Sequence, residues 1–124
     1  MLGRNWSAVM DDSEESLDDE LNIVAMQVIL NAGDARNFMD KAIDALGDAD
    51  YGAVDARLRD ADESILKAHN AQTGMIQRQA AGEKFEYSLI FVHAQDTLMT
   101  IDAELHLFKR LLPVLRGLQQ QGRG

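Results

Sequence analysis

Three side chains in this chain can act as nucleophiles or proton carriers near neutral pH, the imidazoles of His69, His93 and His106. There is no cysteine, which removes thiolate nucleophiles, disulfides and sulfur-rich metal sites. Neither a Gly-rich phosphate loop, nor a helical HExxH pair, nor a Ser-His-Asp pattern is present. His93 stands apart from the other two because Asp96 follows it by three residues, so on a helix the two occupy adjacent positions of one surface. A neutral imidazole in a partly dry pocket is a good phosphoryl acceptor: one nitrogen attacks while the other donates the hydrogen bond that fixes the tautomer. The same spacing also fits a satisfied core histidine beside a buried polar residue.

Asp96 poses a problem of its own. It falls on the seam of Leu89, Val92, Met99 and Ala103, where an unpaired buried carboxylate costs several kcal/mol. Two solutions are open. One is a partner within the chain, such as Lys84, Arg110 or a helix cap; the other is a three-fold assembly that brings three copies of Asp96 around a cation or a shared proton. His69, beside Ala68, reads as a hydrogen-bonded packing residue, and His106 gives a weaker signal. Gln72 and Gln79 could fix register across an interface or be solvated, and Met26, Met39, Met75 and Met99 recur at core spacing and read as core filler.

The elements that hold these residues read as helices. Asp11 to Glu20 carries seven acids, so residues 1–16 are expected to be a solvated, disordered tail, with a helix starting near Leu17 behind a Ser16-to-Asp19 capping pattern. Leu21, Val24, Ala25, Val28, Ile29 and Ala32 form its apolar face. Gly33 interrupts, giving a bent continuation or two short helices, and Ala35, Phe38, Met39, Ala42, Ile43 and Leu46 follow before Gly47 ends the run. Asp48 or Asp50 then caps a helix of about 30 residues, stopped by Gly82, with the heptad seam Val54, Leu58, Ala61, Ile65, Ala68, Gln72, Met75 and Gln79. The aromatic stretch Lys84 to Val92 has no strand to pair with and is assigned to the third helix. Between Tyr87 and Ile101 only His93 and Asp96 ionise, so this helix should be buried on more than one side; Pro113 should kink or end it, and residues 119–124 should fray.

With 124 residues the chain is sized for one domain, and the fold class is an all-α, three-helix antiparallel bundle. A net charge of −9 argues against binding nucleic acid or an anionic membrane surface and favours partners with a basic rim. No run reaches the roughly 18 to 20 apolar residues of a membrane span, and Met1 to Trp6 lacks the apolar stretch of a secretory signal, so the expected compartment is the cytoplasm.

Three motifs in order make the sequence resemble the IIA components of lactose/cellobiose (N,N′-diacetylchitobiose) phosphotransferase systems. They are Ile29-Leu30-Asn31-Ala32-Gly33-Asp34-Ala35-Arg36, Ala68-His69-Asn70-Ala71-Gln72-Thr73 and Val92-His93-Ala94-Gln95-Asp96-Thr97-Leu98-Met99-Thr100. The resemblance implies a IIA domain over residues 17–118 that assembles as a homotrimer. It implies a phosphohistidine at His93, with the tele nitrogen as the candidate and the choice between the two ring nitrogens open, supported by Gln95, Thr97 and His69, and an Asp96 from each subunit on a divalent cation such as Mg2+ at the axis. No organic cofactor is expected. The phosphoryl group would come from HPr and pass to a IIB component for uptake of a β-glucoside or disaccharide, with the membrane met only through a IIC component. Where many relatives carry a second histidine after the motif's aspartate, this chain has Thr97, whose hydroxyl could still donate. That departure sustains an alternative, a IIA-like regulatory phosphoprotein with poor onward transfer.

Overall fold

The computed structural model describes the backbone of residues 2–123 and the side chains of residues 17–122. Three helices follow one another, α1 (Leu2–Gly47), α2 (Tyr51–Ala80) and α3 (Leu89–Arg123), and no strand occurs among the described residues. Each runs antiparallel to the next, so α1 and α3 are parallel, as the pairings Arg36 with Glu104 and Leu46 with Gln119 require. The core is one stripe from each helix. Ala25, Val28, Ala32, Ala35 and Ala42 of α1 meet Val54, Ala61 and Ala68 of α2, and small side chains there let the two backbones approach closely. Phe91, Leu98, Ile101, Leu105 and Phe108 of α3 close the bundle.

Both turns use the same device. At the end of α2 the Glu83 amide bonds the Arg78 carbonyl and the Gly82 amide bonds the Gln79 carbonyl, each at 3.1 Å, with Gly82 at φ 102°. A left-handed glycine with this bond pair is a Schellman stop, placed where the sequence puts it. At the end of α1 the Asp50 amide bonds the Ala45 carbonyl and the Ala49 amide the Leu46 carbonyl, each at 2.9 Å. Here the left-handed position, φ 54°, falls on Ala49 rather than on Gly47. Asp50 then caps α2 by accepting from the Ala53 amide at 3.2 Å.

Several boundaries differ from the sequence expectation. The helix expected to start near Leu17 starts at Leu2, and Gly33 does not interrupt it. No proline lies between Arg4 and Ala32, and adding a residue to an existing helix costs far less than nucleating one. The expected character of the acidic tail concerns side chains outside the described set. The stretch Lys84 to Ser88, assigned above to helix, is instead an irregular connector. It is held from outside: Arg78 bonds Glu83 at 2.6 and 3.1 Å and Glu20 at 2.9 Å, and stacks on the Phe85 ring at 5.3 Å. The bond from Arg78 keeps the Glu83 carboxyl below the usual carboxylate range. Ser88 then starts α3 by accepting from the Phe91 amide at 3.2 Å.

α3 passes through Pro113 and runs on to Arg123. A proline inside a helix costs about 3 kcal/mol, and contacts beyond it offset that loss. Arg116 pairs with Asp55 at 2.7 Å and lies over the Tyr51 ring, the Tyr51 hydroxyl donates to Gln119 at 2.9 Å, and Gln119 donates to the Leu46 carbonyl at 2.6 Å. Gln119, expected to fray, is part of this clasp.

Candidate functional site

His93 lies in the second turn of α3, one turn after Leu89 and one before Thr97. Successive helical residues advance by about 100°, so His93, Thr97 and Glu104 share the flank of α3 that faces α1. Asp102 and Lys109 share the opposite flank, facing α2. The contacts bear this out: Glu104 meets Arg36 of α1, whereas Asp102 meets His69 and Lys109 meets Asp62, both of α2.

An open depression of about 250 Å³ is lined by Arg36, His93, Asp96, Thr97 and Thr100. His93 is exposed there, and among the described residues neither ring nitrogen has a hydrogen-bond partner. The expected bond that would fix its tautomer is therefore not made within one chain. Thr97 does not supply it, since its hydroxyl donates to the His93 carbonyl at 2.8 Å, the back-bond a threonine makes four residues along a helix. This replaces the expectation that the Thr97 hydroxyl is free to donate into the site.

The other expected supporting residues lie elsewhere. Gln95, two positions from His93, faces a separate groove with Gln79, Tyr87 and Phe91. His69 pairs with Asp102 at 3.2 Å across α2 and α3. It is hydrogen-bonded and half-buried there, and among the described residues of one chain it does not meet His93. His106 is exposed, and the Oε1 of Gln72 is buried without a partner among the described residues.

Arg36 is the site residue that residue spacing did not single out. Its Nη2 and Nε donate to the two oxygens of Glu104 at 2.8 and 3.2 Å, a fork-on-fork pair with side chains 44% and 41% exposed. Pairs that open to water contribute at most about 1 kcal/mol. Its only sequence signal is membership of the first motif, on a different helix.

Asp96 is not buried within the chain. It sits exposed on an outer ridge of α3 whose Leu89, Met99 and Leu107 are 71%, 56% and 59% exposed, with Ala103 and Val114 on the same side. The second buried side expected for this helix is thus an uncovered apolar face. Among the described residues no set of three or more His, Asp or Glu side chains within one chain could hold a metal ion. A cation at Asp96 would need carboxylates from further copies. Among the same residues no helix is long and apolar enough to cross a membrane.

Comparison with known proteins adds to this geometry. The profile of the family described as PTS system, lactose/cellobiose specific IIA subunit matches residues 23–116. The chain is 33% identical over 98 residues to a lactose-specific EIIA component of Staphylococcus epidermidis, covering 79% of this chain and 94% of the relative. It is 41% identical over 83 residues to a lichenan-specific phosphotransferase enzyme IIA component of Bacillus subtilis, covering 67% and 76%. Two solved structures are similar. PtcA from S. mutans superposes with a TM-score of 0.76 at 36% identity, covering 79% of this chain and 96% of the other. The cellobiose-specific enzyme IIA from Bacillus anthracis gives 0.73 at 34% identity, covering 78% and 89%.

Proposed function

Because the chain belongs to the lactose/cellobiose-specific IIA subunit family of sugar phosphotransferase systems, we propose that it is a phosphocarrier that receives a phosphoryl group on His93 and hands it on. The observation that carries this reading is an exposed imidazole with neither nitrogen bonded among the described residues, at the mouth of a depression that also holds an arginine. The lone pair of one ring nitrogen, the tele nitrogen in this reading, attacks phosphorus. The bond from phosphorus to the donor atom breaks, and its electron pair leaves with the donor. The second ring nitrogen keeps its proton throughout, so no net proton transfer is needed. Such a step depends on positioning and on charge compensation more than on acid–base catalysis.

In this reading HPr is the donor and a IIB component the acceptor, in the cytoplasm, with a IIC component taking up a β-glucoside or disaccharide. Three chains assemble through the outer ridges of α3, which covers Leu89, Met99 and Leu107 and supplies the missing surroundings of His93. The three Asp96 carboxylates then converge, and a divalent cation such as Mg2+ would compensate their charge; its role is structural.

The test is intact-protein mass spectrometry at neutral to alkaline pH after incubation with phosphoenolpyruvate, enzyme I and HPr. One acid-labile phosphate is expected on the wild type and none on His93→Gln. Adding a IIB protein should then discharge it rapidly. Retention of the phosphate would favour the regulatory reading, to which the committed Thr97 hydroxyl lends weight. A wild type that takes no phosphate would refute both.

A further inference from the structure

The depression around His93 holds an imbalance of charge. Whatever cation the Asp96 carboxylate shares with its copies, a phosphoryl group on His93 would bring a further, highly charged anion into this depression. Arg36 is the one cation among the residues that line the depression, yet it is spent on Glu104, outside that lining. Only Nη2 and Nε are used in that pair; Nη1 has no partner among the described residues. Because the pair is open to water, little holds it against a stronger anion.

We propose that Arg36 is a phosphoryl-binding residue, and that phosphorylation of His93 draws its guanidinium away from Glu104 onto the phosphoryl oxygens. This deepens the phosphocarrier reading of His93 and rests on it. Glu104 lies three turns further along α3 than His93, so Arg36 must swing toward the start of α3 to make the contact. Side chains on a helix lean toward its N-terminus, and α1 runs parallel to α3, so the swing follows the natural tilt of Arg36. A guanidinium suits the task, since its planar donors match two phosphoryl oxygens at once. The exchange makes no covalent bond. It compensates the charge that arrives when the phosphorus–nitrogen bond to His93 forms and the bond to the donor breaks.

Two variants separate this role from a structural one. If the Arg36–Glu104 pair merely braces α1 against α3, Arg36→Gln and Glu104→Gln should have equal effects. If Arg36 receives the phosphoryl group, they should differ in direction. Phosphorylation rates are measured with phosphoenolpyruvate, enzyme I and HPr, the 31P chemical shift of the product is recorded, and sedimentation verifies that all variants keep the wild-type association state. We expect Arg36→Gln to slow phosphorylation by about 10- to 100-fold, the worth of a hydrogen bond to a charged group, and to move the 31P signal. Glu104→Gln should be at least as fast as wild type with an unmoved signal, and Arg36→Lys should recover part of the rate. An Arg36→Gln rate within about twofold of wild type, the scatter of an ordinary surface substitution, would overturn the proposal, as would a Glu104→Gln rate as slow as that of Arg36→Gln. A wild type that takes no phosphate overturns the phosphocarrier reading first and this inference with it.

Discussion

His93, the proposed phosphoryl acceptor, stands on a buried floor. Directly behind it α3 presents Ala94 and Leu98 to the core, both fully buried. Leu98→Ala would open a cavity under the site, and a loss of about 2–5 kcal/mol in chemical denaturation is expected. Spacing alone exposed His93, Asp96 and Thr97 as neighbours, because all three lie within two turns of one helix and helical geometry is local. Gln95 could not join them, since two residues turn the helix by about 200°. Arg36 was illegible for the opposite reason. It comes from α1, and only the packing of α1 on α3 brings it to the depression. His69 shows a third case, in which a hydrogen-bonded histidine could be expected from sequence but its partner, Asp102, could not be named.

The two inter-helix turns show how local chemistry is and is not read. Gly82 marks its turn because glycine is the residue that adopts a left-handed backbone without penalty. The α1–α2 turn needs the same conformation but carries it on Ala49, two residues beyond Gly47, where α1 ends as expected. Relieving the contact of the Ala49 Cβ with its own backbone outweighs the extra unfolded-state freedom of glycine. Ala49→Gly should therefore stabilise the fold by about 0.5–1 kcal/mol, read as a raised thermal midpoint. Asp50 was legible as a cap because its hydrogen bond spans three residues. The connector before α3 was not, since its anchors Arg78 and Glu20 come from α2 and α1. The lack of a partner strand excluded a strand there without requiring a helix.

At the scale of the whole chain, the three core stripes were evident from periodicity, because a helix must bury one face and that face repeats every three to four residues. The outer ridge of α3 was evident too, as a helix with more apolar surface than one neighbour can cover. Within a single chain that ridge is uncovered. If it packs against its copies, Asp96→Leu replaces a buried, mutually repelling carboxylate with an apolar group. Assembly should then be unchanged or tighter, by up to about 4 kcal/mol, in sedimentation equilibrium. Dissociation to single chains would count against an axial carboxylate that repels its copies and would point instead to a cation holding the three together.

The clasp beyond Pro113 bears on where this protein can be cut. The segment shared with the family ends at residue 116, an inviting place to truncate the chain or to fuse another. Every residue of the candidate site would survive such a cut. The partly buried Tyr51 hydroxyl would lose Gln119 as its partner, while the Leu46 carbonyl would keep the Ala49 amide, and a polar group stranded as this hydroxyl would be costs about 1–3 kcal/mol. The unit that folds is thus longer than the segment its relatives hold in common, and any tag or fusion joint belongs after Gly122.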